Sequence, residues 1–302
     1  MKRAGCLLFA AVPLLVTAAV YFVTPEHKDA QNAKGSTSAA EQARQDAKSH
    51  AERTAEQAAD DELIADLPPG LAAPAKKELA QQIVASAENS TLDWRSAYRY
   101  IEDIGDGQGY TAGIIGFCTG THDLLTLVER YTKAHPDNGL ARYLPALRKV
   151  DGTDSHEGLD GFPAAWRKEA GATAFRAAQD SERDRVYFDP AVRLAKLDGL
   201  GTLGQFIYYD AMVLHGPGTS PDSFYGLRER ALREADLPSQ GGSEKSYLDI
   251  FLDIRRTSMK SKNPDRDTTR IDTAQRQFVY DGNLDLHTPL KWKVYGETYH
   301  VP

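Results

Sequence analysis

Two carboxylates, Glu88 and Asp106, bracket a stretch that also carries three aromatic rings, Trp94, Tyr98 and Tyr100, of the kind that stack on sugar faces. Two carboxyl groups on separate elements that face one cleft are the minimal equipment for hydrolysing a glycosidic bond. One stays protonated and donates to the leaving oxygen, while the other is ionised and acts on water or on the sugar. Taken alone the pair says little, because the chain has 43 acidic residues. Its weight comes from the elements that position it.

The sequence PAKKELAQQIVASAENS reads as a helix from Pro74, since proline suits a first turn and Leu79, Ile83, Val84 and Ala87 recur on one face. Glu88 lies one step beyond Ala87, before the polar run Asn89-Ser90-Thr91 stops the helix. A carboxyl half-buried at such a core edge is in the environment that keeps an acid protonated. Gly105-Asp106-Gly107-Gln108-Gly109 alternates glycine with polar residues, which suits a tight turn with positive φ. Tyr110-Thr111-Ala112 then reads as a strand, so Asp106 is expected near a hairpin tip, with the Thr111 hydroxyl able to orient a water. The spacing Gly107-x-Gly109-x-x-Ala112 formally matches a dinucleotide fingerprint. It follows a polar segment and no βαβ alternation surrounds it, so that reading is rejected.

These residues sit in segments that resemble glycoside hydrolase family 46, the endo-acting chitosanases. The segments are SAENSTLDW, YRYIEDIGDGQGYTAGIIGFCTGTHD, YLPALRKV, ERDRVYFDPA, LGQFIYYDAMVLHGPG and NLDLHTPLKWKVYG. The likeness runs from about Leu71 to the C-terminus. It implies an α+β, mainly helical, lysozyme-like two-lobed fold with a small β-sheet beside the substrate cleft. It further implies endo-hydrolysis of β-1,4 links in chitosan, with inversion at the anomeric carbon. Residue by residue, the resemblance makes Glu88 the general acid, Asp106 the general base and Thr111 the group that places the attacking water. It also implies a buried charge network of Asp210, Arg255 and Arg270 behind the acid, able to orient it and tune when its proton leaves. Family members often carry arginine where this chain has Gln108, which keeps hydrogen bonding and loses the charge. Tyr100, Gln108, Asp123 and His215 are the candidate substrate-binding residues. His215 is chosen because it lies in the glycine-rich HGPG, and Asp123 because the resemblance singles it out.

Composition bounds the rest. Lys2 and Arg3 precede a run, Ala4 to Val23, with no charged residue. It is long for a secretory core and long enough to span a bilayer, so a cleaved signal and a retained anchor are both open. In either case the catalytic part is expected outside the cell, secreted or anchored at the outer membrane face. Residues 24–70 are Ala-rich and charged and lack a wide apolar stripe, which reads as a solvated, disordered or partly helical linker, either a stalk or a propeptide. Residues 71–302 form the catalytic domain.

The only cysteines are Cys6 and Cys118, so no disulfide is expected within that domain, and Cys118 reads as a small core residue rather than a nucleophile. No HExxH, paired CxxC or GxSxG occurs, so metal and serine-hydrolase chemistry lack their motifs and no cofactor is called for. The net charge is −7 and there is no basic stripe, which argues against a nucleic-acid partner. Removing residues 1–66, which hold ten acids and seven bases, leaves −4, too modest by itself to select a polycation. Local acids such as Glu102, Asp103 and Asp123 must then meet chitosan. The expected enzyme is a monomer. A lysozyme-like peptidoglycan hydrolase and a catalytically idle wall- or polycation-binding module are the other readings, and the joint presence of Glu88, Asp106 and Thr111 argues against the idle one.

Overall fold

The computed structural model describes residue 52 and residues 54–302. The apolar run 4–23 and most of the charged linker lie outside the described residues. Among those that are described, no helix is long and apolar enough to cross a membrane.

The clearest reason for the architecture is one helix. In Thr202–His215 (α8) the stretch LGQFIYYDAM is buried on every side, so the helix has no solvated face and must be wrapped by others. The wrapping elements are α2 (Pro74–Glu88), α7 (Asp189–Leu197), α9 (Phe224–Ala231) and α10 (Glu244–Lys262). Tyr208 of α8 meets Phe224 and Phe251 at ring separations of 5.0 and 5.3 Å, which interlocks three of these helices. A second group is built on Trp166 of α5 (Phe162–Glu169) and Phe175 of α6 (Thr173–Arg183), whose rings meet edge-on at 4.9 Å, with α3 (Asp123–Ala134) against α6 and α4 (Leu144–Val150) against α3. A short helix, α11 (Arg276–Tyr280), completes the set. The result is the mainly helical α+β architecture that the resemblance implied.

Two small antiparallel sheets are set among the helices. β1 (Ile101–Asp103), β2 (Tyr110–Ala112) and β3 (Phe117–Cys118) form one, with Glu102 opposite Thr111 and Thr111 opposite Cys118. β4 (Leu290–Val294) and β5 (Glu297–Val301) form a C-terminal hairpin in which Leu290, Trp292 and Val294 alternate inward.

One sequence expectation is corrected here. Trp94 and Tyr98 are each only 7 % exposed and are held inside by hydrogen bonds from the Trp94 indole to Glu78 and from the Tyr98 hydroxyl to Asp180. They are core rings, and of the three only Tyr100 is partly accessible. The described end of the charged linker is helical. Residues 54–65 form a helix (α1) tied to α7 by Arg193, which lies 3.4 Å from Asp60 and pairs with Asp61. Apart from that pairing these residues are mostly exposed, in keeping with a partly helical, solvated linker.

Candidate active site

Helix α2 stops where the sequence predicts. Asn89 closes it with a bond from its amide to the Ala85 carbonyl (2.8 Å), and Ser90 takes a positive φ of 51°. Glu88 is thereby left on the last turn, its side chain 28 % exposed, with one face toward the protein and one toward water. On the protein side it accepts a bond from Arg270 Nη1.

Arg270 is 3 % exposed and would be an uncompensated buried cation without Asp210. Its Nε donates to both Asp210 oxygens, at 2.9 and 3.1 Å. Asp210 also accepts from Arg255 Nη2 (2.7 Å) and from Gln275 Nε2 (2.5 Å), and Arg255 Nη1 donates to Gln275 Oε1 (2.6 Å). Three helical elements meet at this carboxylate: α8 brings Asp210, α10 brings Arg255, and the segment before α11 brings Arg270 and Gln275. That last segment is a π-turn over Ile271–Gln275, whose i→i+5 closure widens the helix and lets residues five apart reach one carboxylate. Burial pushes Asp210 up, but Arg270 and Arg255 outweigh it and hold the carboxyl at about 2.

Asp106 lies on the β1–β2 loop, exposed to water. Gly105, Gly107 and Gly109 all take positive φ there (71°, 82° and 68°), the turn that glycine alternation predicts. Asp103 and Asp106 each accept a bond from the amide two residues on, Gly105 at 2.8 Å and Gln108 at 3.0 Å, so the loop is two successive Asx turns. At its far side the Gln108 carbonyl accepts from the Gly120 amide (2.9 Å), docking the base loop on the next turn. Thr111, on β2 beyond the loop, is half-buried. Tyr100 precedes β1, and its phenol is raised by burial and then by the neighbouring charges of Glu102, Cys118 and Asp106. It therefore stands within the field of the base loop.

Asp123 opens α3 as an internal anchor. Its Oδ1 accepts from the Cys118 and Leu124 amides (both 2.9 Å) and from the Thr121 hydroxyl (2.7 Å), while Oδ2 accepts from Tyr187 (2.8 Å). Burial raises this carboxyl, with the hydrogen bonds opposing. His215 was expected in a loop; it is the last residue of α8, with Nε2 buried and without a partner. Burial, then Arg255 and Arg270, lower it to about 2, so the ring is neutral and belongs beside the charge network. Gln275, Tyr187 and the pairing of Cys118 with Thr111 were not anticipated. Tyr187 and Gln275 lie far along the chain from the carboxylates they meet, and Cys118, although close in sequence to Thr111, reaches it only through the β2–β3 pairing. Among the described residues no group of three or more His, Cys, Asp or Glu could hold a metal ion.

The model of glycosyl hydrolase family 46 matches residues 82–290. The chain is 58 % identical over 233 residues to a chitosanase of Streptomyces sp., covering 77 % of this chain and 84 % of that protein. It is 40 % identical over 225 residues to a chitosanase of Bacillus subtilis, covering 71 % and 80 %. Among solved structures, a co-crystal structure of a chitosanase with substrate superposes with a TM-score of 0.75 at 53 % identity, covering 77 % of this chain and 98 % of that one. A Gynuella sunshinyii family 46 chitosanase in complex with chitotetraose superposes with a TM-score of 0.70 at 32 % identity, covering 75 % and 97 %.

Proposed function

The chain belongs to glycosyl hydrolase family 46, and on that premise we propose that it is an endo-acting chitosanase that cleaves β-1,4 links between glucosamine units with inversion. Glu88 is the general acid in this reading, Asp106 the general base, and Thr111 holds the water between base and sugar.

The observation that carries the acid assignment is the bond from Arg270 to Glu88. Asp210, Arg255 and Arg270 together bear one net positive charge, so the group of four becomes neutral only when Glu88 has given up its proton. Transfer to the glycosidic oxygen is thus favoured by charges already in place, which need no reorganisation during the reaction. Asp106, exposed on its loop, takes a proton from water as that water attacks the anomeric carbon from the face opposite the leaving group. Exposed Glu102 and Asp103 flank the base loop and suit the ammonium groups of chitosan. The proposed address is extracellular, by release or by retention at the outer membrane face through residues 4–23, and the proposed working form is a monomer.

The test is a reducing-end assay of the purified protein on chitosan and on peptidoglycan, with proton NMR of the first products. Hydrolysis of chitosan with the α-anomer appearing first is the expected result. Cleavage of peptidoglycan instead, or a β-anomer formed first, overturns the substrate or the role of Asp106.

A further inference from the structure

Thr111 and Cys118 are directly opposed across β2 and β3, and their side chains touch: Thr111 Oγ1 lies 3.3 Å from Cys118 Sγ. The thiol lies 3.1 Å from the Gly116 carbonyl oxygen. The strand that carries it is pinned at its amide by Asp123, which Tyr187 holds in turn. We propose that Cys118 is a positioning residue that sets the polarity of the Thr111 hydroxyl, an inference that rests on the role given to Thr111 above.

The argument is one of proton count. A thiol has one proton, and the carbonyl of Gly116 is both nearer and a better acceptor than a hydroxyl, so the thiol donates there. The Thr111 contact then requires the hydroxyl to donate to sulfur. Burial raises the thiol to about 11, so it keeps the proton it needs at neutral pH. With its hydrogen placed on sulfur, the Thr111 oxygen presents only lone pairs to water. A water that gives one hydrogen to Thr111 and the other to Asp106 retains both of its own lone pairs for the anomeric carbon. If Thr111 donated instead, it would occupy one of those pairs and oppose attack.

The test is a cycle of Cys118→Ala, Cys118→Ser and Thr111→Ala, with kcat, KM and thermal melts on each protein. C118A is expected to lower kcat about three- to tenfold, the range of one lost hydrogen bond, with KM unchanged. C118S, which restores a donor and an acceptor, should recover most of that loss. In the T111A background C118A should cost nothing further. Equal loss in both backgrounds, or wild-type kcat in C118A, overturns the proposal and leaves the Thr111 reading standing. Wild-type kcat in T111A removes the Thr111 reading itself, and this one with it. Should C118A melt below the assay temperature, Cys118→Val supplies the same comparison, filling the site without a donor or acceptor.

Discussion

The indole of Trp292 donates to the hydroxyl of Ser86 at 2.9 Å, two residues before Glu88. Ser86 passes the bond on to the Ile83 carbonyl (2.6 Å), so a residue of the C-terminal hairpin fastens the last turn of the helix that carries the acid. Both side chains are fully or nearly buried, which makes an unmade bond costly. Trp292→Phe should therefore destabilise the protein by about 1–3 kcal/mol and lower Tm by several degrees. Differential scanning calorimetry checks this, and an unchanged Tm would show that the hairpin does not hold the helix end.

Glu88 and Arg270 should respond in opposite ways to removal. Glu88→Gln retains shape and leaves Arg270 its bonds to Asp210, so Tm should stay close to wild type while kcat falls about 10²–10⁴-fold. Arg270→Ala strips a buried carboxylate of one of its two cations, a loss typically of about 3–5 kcal/mol, and should lower Tm and kcat together. Kinetics and melts on the two variants separate an acid from a structural ion pair. Turnover of E88Q within a factor of two of wild type would sink the assignment.

His215 makes folding sensitive to acid. Its folded pKa is lowered from 6.5 to about 2, so below about 6.5 the unfolded chain binds a proton that the folded one refuses. Stability from this residue is present above 6.5 and is lost as pH falls, by at most about 1.4 kcal/mol per pH unit. His215→Gln, which cannot titrate, should show a flatter loss of stability between pH 6.5 and 4.5 in urea unfolding. Parallel curves for the two proteins would place His215 in water rather than beside Arg255 and Arg270.

The extension before Leu71 should be dispensable for catalysis. The polar contacts described between residues 54–66 and the body are those of Arg193 with Asp60 and Asp61, which are 41 % and 69 % exposed, and with the Gln57 carbonyl, and such surface contacts are worth about 0–1 kcal/mol. A protein lacking residues 1–66 should keep its specific activity and melt within a few degrees of the full chain. Aggregation or inactivity of that truncation would make the extension structural. Cell fractionation of the full chain addresses residues 4–23 separately, since full-length protein in membranes and shortened protein in the medium are opposite outcomes.

Local physics was legible in the chain. The 3.6-residue spacing from Leu79 to Ala87 and the proline at position 74 define α2 and its end at Glu88. The glycine alternation defines the loop of Asp106, because positive φ is a property of single residues and their neighbours. The family resemblance implied Asp210, Arg255 and Arg270 as a group, and the fold brings their side chains together. Spacing could not say which aromatic rings are solvent-facing. Trp94 and Tyr98 are buried because Glu78 and Asp180, from two other helices, satisfy their polar ends. Nor could it place His215, whose neutrality depends on cations 40 and 55 residues away along the chain. The engagement of Asp123 by Tyr187, of Asp210 by Gln275 and of Thr111 by Cys118 was likewise decided only by the tertiary structure. Each is a hydrogen bond between groups that periodicity does not relate, and burial makes such a bond obligatory only once the elements have packed.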